Sequence, residues 1–353
     1  MVRFVDVHHL ARWVADTGLE SIISDLVDAL EADFRRWPAF DKAPRLASHS
    51  GDGVIELMPT SDGGTYAFKF VNGHPVNTSR GLQTVTAFGV LADVATGYPR
   101  LLSEMTLLTA LRTAATSVMA ARALAPPGAG TMALIGTGAQ AEFQALAFHR
   151  CLGIDTIRAW DTDPAALDKF VTNAAQLGLD VVRATGADDA IAGAHIITTC
   201  TADKRNATVL TDDMVRRATD GGVHINALGG DCPGKTELDI ELVKRSSLFV
   251  EYAEQSFIEG EIQHLPRSWP VTELWQVLTG DRPGRTSPDE ITVFDSVGFA
   301  VEDFTALSYL DAALDREGGD RYFERIELVA EPADPKNLFQ LVEDEMTVDV
   351  AGA

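Results

Sequence analysis

The stretch Thr131-Met-Ala-Leu-Ile135-Gly136-Thr-Gly138-Ala-Gln-Ala141 decides how the chain is read. A short apolar run passes without a break into G-x-G-x-x-A, and Gln140–Leu152 then has helical character. Gly136 permits the tight turn and Gly138 lets the backbone approach a pyrophosphate. Small Ala141 allows close helix–strand packing. The free N–H groups at the helix start favour phosphate. Asp161 ends the next predicted strand, Thr156–Trp160, about 20 residues past the motif, where a ribose-binding carboxylate belongs. A carboxylate there repels a 2′-phosphate, so NAD is expected rather than NADP.

Outward from this stretch the grammar repeats. Pro164–Leu177 reads as a helix, and Val181–Ala184, Ile196–Cys200, His224–Leu228, Leu248–Glu251 and Ile291–Phe294 read as further strands. Strands alternating with helices predict an α/β fold of Rossmann type, a doubly wound parallel sheet. Before it, Leu19–Trp37 places Ile22, Leu26, Leu30 and Phe34 on one helical face. The strand-like runs Arg45–Ser50, Val54–Met58, Tyr66–Val71 and Thr84–Val94 follow, separated by turn signals, and make an α+β module. Met105–Ala125 should be one long helix, and Ala300–Leu314 a helix able to return to the first module.

Composition narrows the function. The 353 residues hold 52 Asp+Glu against 29 Lys+Arg, a net charge of −23, which argues against nucleic acid or an anionic membrane as partner. The apolar stretch Leu107–Leu124 contains Arg112 and Arg122 and reads as a buried or amphipathic helix, not a membrane span. Three cysteines without a C-x-x-C spacing predict no disulfide framework and no metal site, and fit a reducing cytoplasm.

Several segments resemble the ornithine cyclodeaminase/mu-crystallin family. They are Arg45-Leu-Ala-Ser-His-Ser50, Gly53-Val-Ile-Glu-Leu-Met-Pro59, Ala67-Phe-Lys-Phe-Val-Asn-Gly-His-Pro75, Leu107-Leu-Thr-Ala-Leu-Arg-Thr-Ala114, the glycine turn, Asn226-Ala-Leu-Gly-Gly-Asp-Cys-Pro-Gly-Lys-Thr-Glu-Leu238 and Val293-Phe-Asp-Ser-Val-Gly-Phe299. The resemblance spans nearly the whole chain. The Glu56–Pro59 and Gly230–Lys235 stretches are most particular to the cyclodeaminase branch. It implies a homodimer with tightly held NAD that turns L-ornithine into L-proline and ammonia. The substrate α-carbon gives up a hydride, the δ-amine attacks the imine, ammonia leaves, and the cyclic imine takes the hydride back. It further implies a substrate-binding and dimerisation domain over residues 1–113, completed by 315–353, and an NAD-binding domain over 114–314.

By the same resemblance Arg45, Lys69 and Arg112 hold the substrate carboxylate, and Glu56, Met58 and Val297 line the pocket. Asp231 is the acid/base and the partner of the δ-amine, with Glu56 the second catalytic candidate. Thr84, Arg112, Gly136, Gly138, Ala139, Gln140, Asp161, Thr201, Asn226, Ala227, Lys235, Ser296 and Lys336 fall on cofactor positions.

The residues are compatible with these roles. Alternation puts Lys69 on the strand face opposite Tyr66, Phe68 and Phe70, and Glu56 on the same face as Met58. A guanidinium at 112 suits a carboxylate or a phosphate. Asp231 follows a parallel strand through Gly229-Gly230, at the edge where such sheets bind ligands, and a water-poor setting there would raise its pKa toward neutrality. Read as isolated features, Lys69 is equally an exposed strand lysine, Arg112 a snorkelling helix residue and Asp231 a turn aspartate. A lysine cyclodeaminase, an amino-acid dehydrogenase, a ketimine reductase or a non-catalytic binding protein would share the scaffold. One methylene of substrate is worth only about 1–3 kcal/mol of discrimination.

Overall fold

The computed structural model describes residues 1–202, 208–219, 222–316, 320–343 and 346. The stretch 216–221 and the charged tail after Asp315, both peripheral by sequence, fall partly outside them.

Two sheets are joined by a buried helix. Strands β1 (Val2–Val5), β2 (Leu46–His49), β3 (Val54–Ser61), β4 (Thr65–Gly73), β5 (Val85–Asp93) and β6 (Pro99–Glu104) belong to the first. Strands β7 (Thr131–Ile135), β8 (Thr156–Trp160), β9 (Val181–Arg183), β10 (Ile196–Thr199), β11 (Val223–Ala227), β12 (Ser247–Val250), β13 (Thr272–Glu273) and β14 (Ile291–Asp295) form the second, in the order β13-β12-β14-β11-β10-β7-β8-β9. Every pairing in this second sheet is parallel. The order turns back on either side of β7, which is the doubly wound arrangement. A last strand, β15 (Glu324–Ile326), closes the first sheet in the order β15-β1-β6-β5-β4-β3-β2. That sheet is antiparallel except where β1 lies parallel to β6. The four-residue strand β1 is too short to announce itself by alternation, and the sequence gives little sign of it.

Helices α1 (Val7–Thr17), α2 (Leu19–Arg35) and α3 (Thr106–Leu124) serve the first sheet. Ile22, Leu26, Leu30 and Phe34 are fully buried, as their spacing predicts. Each such side chain contributes roughly 1.5–3 kcal/mol on burial. The chain then runs through α4 (Ala141–Leu152), α5 (Pro164–Gln176) and α6 (Ala187–Ile191). It continues through α7 (Asp212–Ala218), α8 (Ile240–Arg245), α9 (Ala253–Glu259), α10 (Leu274–Thr279) and α11 (Ala300–Arg316).

The alanines of α3 let it pack closely on both α2 and α4, so it belongs to both halves. A boundary at 113/114 therefore falls inside one continuous helix. Helix α11 packs on α2, α3, β3, β4 and β5, placing residues 300–316 against the first sheet. Among the described residues no helix is long and apolar enough to cross a membrane.

The inward face of the first sheet is apolar, with Val54, Met58, Ala67, Val71, Leu91 and Leu101 buried, apart from two charged residues. Lys69 and Glu56 point inward and are almost fully buried, while Leu46, Ile55, Tyr66 and Phe88 point outward and are exposed. Phe70 stacks on Phe88 across the strands at 5.0 Å between ring centroids.

Candidate active site

The glycine turn sits at the carboxyl end of β7. Gly136 has φ +95°, and a Cβ there would lie 2.8 Å from the Cys200 carbonyl, so only glycine fits. A Cβ on Gly138 would meet nothing, which leaves open space over the turn. Helix α4 begins with no side chain capping its N-terminal N–H groups. Asp161 braces the turn: its Oδ2 accepts hydrogen bonds from the Thr137 N–H at 2.6 Å and the Thr137 hydroxyl at 3.0 Å. The exposed backbone at Gly138 and Ala139, the uncapped helix and the unpartnered Oε1 of Gln140 make a cradle that fits a dinucleotide.

Carboxylates tie down the neighbouring strand ends. Glu237 accepts from the Thr201 N–H (2.8 Å) and hydroxyl (2.6 Å) beyond β10, and from the Gly229 N–H (2.8 Å) beyond β11. Glu261 accepts from the N–H groups of Glu237 and Leu238, and Asp295 from those of Glu261 and Ile262. A Cβ on Gly229 would fall 2.2 Å from Glu237, and one on Gly230 2.5 Å from Glu261. These glycines make room for carboxylates inside the protein. The buried ammonium of Lys235 donates to the Thr201 carbonyl at 2.6 Å and lies 3.5 Å from Asp231. Asn226 is buried with its Nδ2 unpartnered, and its neighbour Ala227 ends β11. The Ser296 hydroxyl donates to Glu251 at 2.8 Å.

Between the two sheets lies a buried charged cluster. Arg45 donates from Nη1 to Glu56 at 2.9 Å and from Nη2 to the carbonyls of Val297 and Gly298 at 2.6 and 2.7 Å. Its Nε lies 2.8 Å from Glu259. Lys69 donates to Oδ1 of Asp303 at 2.8 Å. Arg112 donates from Nε to the same oxygen at 3.0 Å and from Nη1 to Glu302 at 2.5 Å. Met58 pairs with Lys69 across β3 and β4 and shares the inward face with Glu56.

Burial, offset in part by Asp303, brings the Lys69 ammonium down to about 8. Burial raises the Glu302 carboxyl to about 8 and that of Glu259 to about 7, in each case against the pull of an arginine. Burial works against the Arg45 charge, but Glu259, Glu56 and Asp231 more than offset it. The three cations expected at a carboxylate clamp thus converge, and acids from α9 and α11 pair with them.

Other expected residues stand apart. Asp231 feels the same cluster, since its charge acts on both Arg45 and Glu259. Its side chain is 52% exposed, however, because the glycine turn carries it past the strand ends, and its setting is not the water-poor one anticipated. Thr84 is half-buried ahead of β5, with its carbonyl bonded to His74. Lys336 is exposed in a turn formed with Asp334. Sequence reasoning missed Glu251, Glu259, Glu302 and Asp303. Glu302-Asp303 resembles the acidic first turn of any helix, and only its closeness to the Val293–Phe299 motif hints at more. Among the described residues no group of three His, Cys, Asp or Glu could hold a metal ion.

Comparisons with known proteins place the chain in a family. The family model for the ornithine cyclodeaminase/mu-crystallin family matches residues 7–317. An ornithine cyclodeaminase of Brucella suis is 56% identical over 342 residues, covering 97% of this chain and 94% of that protein. A solved structure of a lysine cyclodeaminase, described as recognising L-lysine, L-ornithine and L-2,4-diaminobutyric acid, superposes with a TM-score of 0.85 at 32% identity, covering 96% of this chain and 98% of that one. An archaeal alanine dehydrogenase, solved as a dimer with bound NAD, gives 0.81 at 28% identity, covering 93% and 99%.

Proposed function

The chain belongs to the ornithine cyclodeaminase/mu-crystallin family, and within it we propose an NAD-dependent ornithine cyclodeaminase that converts L-ornithine to L-proline and ammonia. The observation that carries this reading is a buried cluster offering cations and carboxylates together, set against the parallel sheet that carries the dinucleotide cradle. An amino acid with a second, terminal amine needs both: cations for its carboxylate, acids for its ammonium. Identity supports ornithine over lysine, at 56% to the Brucella ornithine cyclodeaminase against 32% to the lysine cyclodeaminase structure.

NAD, when bound, supplies a two-electron oxidation of the substrate α-carbon and its later reversal. The protein does the rest. The glycine turn and the start of α4 would hold the pyrophosphate, and Asp161 would be the partner for ribose hydroxyls. Lys69 and Arg112 offer their remaining N–H groups to the substrate carboxylate, with Arg45 adjacent. Asp231 and Glu56 face the δ-ammonium, which must lose a proton before it can attack carbon. A carboxylate there takes that proton and returns one as ammonia departs. Purified protein given ornithine and a trace of NAD should form one proline and one ammonia per ornithine, with no net NADH. Steady NADH accumulation would instead make it a dehydrogenase, and inertness toward ornithine beside pipecolate formation from lysine would move the substrate.

We also propose a homodimer formed through the first sheet. Across it Leu46, Leu57, Phe70 and Phe88 form one outward apolar row, and Pro59, Phe68, Val90, Leu102 and Phe4 a second. A shallow cavity of about 420 Å³ lies along this face, lined by Phe4, Phe88 and Leu102. Light scattering should return twice the 38.0 kDa chain mass; a monomer would refute the dimer.

A further inference from the structure

We propose that Asp303 is a positioning residue that assembles the substrate-carboxylate site, by holding the Lys69 ammonium and the Arg112 guanidinium on a single oxygen. The inference rests on the cyclodeaminase reading of the site and assigns a role to a residue outside its motifs.

The geometry comes from three separate elements. Lys69 lies in the middle of β4, Arg112 in α3, and Asp303 in the first turn of α11. All three are buried, Lys69 and Asp303 to 1% exposure. Oδ1 of Asp303 accepts from both cations, at 2.8 and 3.0 Å, while its Oδ2 is buried without a hydrogen-bond partner. Two cations this close repel each other, and neither is stable in a water-poor interior without an anion. Asp303 is that anion for both.

It also dictates which donors stay available. By taking Nε of Arg112 it turns the fork so that Nη2 remains unbonded among the described residues. The two remaining protons of Lys69 are likewise unclaimed. A carboxylate entering from the cofactor side meets a preformed pair of donors rather than two mobile chains.

The charges around Lys69 support this. Asp303 is the leading influence keeping it protonated, while Arg112 and Arg45 push the other way. Glu302 lies within electrostatic reach from α11. Its cross-strand neighbours, Met58 and Gly89, are uncharged. Among the described residues no acid on another element bonds Lys69.

The test compares holoenzyme carrying Asp303→Asn or Asp303→Glu with the unmutated protein, measuring KM for ornithine, kcat, NAD affinity and melting temperature from pH 6.5 to 9. Asp303→Asn should raise KM by about 10- to 100-fold, the range for losing a charge-assisted hydrogen bond, with NAD affinity unchanged. The rise of KM with pH should begin at lower pH than in the unmutated protein, because Lys69 loses its main anionic partner. Asp303→Glu keeps the charge but shifts its position, so it should raise KM while leaving that onset in place. The inference is overturned if Asp303→Asn keeps the unmutated KM and pH profile. It is equally overturned if both variants lose kcat, NAD affinity and melting temperature together, as a purely structural residue would. Failure of the unmutated protein to make proline would instead sink the functional reading.

Discussion

The cofactor cradle and the charged cluster are a few strands apart and are assembled in opposite ways. The cradle is local: β7, the glycine turn, α4 and Asp161 fall within one β-α-β unit, and its key contact joins Thr137 to Asp161. The cluster is non-local, drawing Arg45, Glu56, Lys69, Arg112, Glu259, Glu302 and Asp303 from both ends of the chain. The cradle is half open, and its backbone groups wait for phosphate. The cluster is buried, and its cations already have partners. Cofactor affinity therefore resides in backbone geometry, whereas substrate affinity resides in the N–H groups that the paired side chains leave over.

The largest effect expected from this contrast is at Asp231, which pairs with Lys235 and whose charge acts on the cluster. Asp231→Asn keeps the shape but removes the base, so proline formation should fall by ~10²–10⁴. Folding and NAD affinity should hold, since half the side chain is already in water. A variant that still makes proline at near the original rate would transfer the role to the cluster. Glu259, buried and brought near 7, would then lead.

A smaller effect is expected from Arg45→Ala. Loss of a charge-assisted bond to the substrate is worth roughly 1.5–3 kcal/mol, seen as a higher KM for ornithine. Glu56 and Glu259 also lose their shared cation, so the melting temperature should drop while NAD titration stays unchanged. If NAD binding weakened as much as ornithine binding, the two regions would not be separable.

The smallest effect is expected from Asp161→Ser, near the surface. Losing one charged acceptor for ribose should weaken NAD by about tenfold and let NADP compete, with KM for ornithine nearly constant. Tighter NADP binding by the unmutated protein would contradict the assignment of Asp161.

The same contrast explains what could be read in advance. Strand, turn, helix and acid in the cradle are contiguous, so periodicity and glycine spacing reveal them: Thr131–Ile135 and Thr156–Trp160 form the strands anticipated. Alternation also put Lys69 opposite its aromatic neighbours, but it is silent on which face is buried. Here the lysine is inside and the rings are outside, because α11 brings Asp303 to meet it. The acids opposite the cations carry no local pattern. A lone Glu259 at the end of a short helix looks like any solvated acid. The Gly229-Gly230 pair was legible as a place needing glycine, yet its reason differs: the crowding comes from Glu237 and Glu261.

The row of buried acids has a consequence for the protein's behaviour in bulk. Glu302 and Asp295, with carboxyls near 8, keep their protons at pH 7. Acids whose pKa is lowered elsewhere are ionised at that pH in any case, so nothing compensates. The native molecule should migrate in an electric field as less negative than the −23 of its sequence. Unfolding then returns these carboxyls to their ordinary range and releases the protons. Their contribution to stability is complete only below the ordinary carboxylate range, about pH 4, and is lost steadily as pH rises from there through 8. A weakly buffered sample melted at neutral pH should turn acidic as it unfolds.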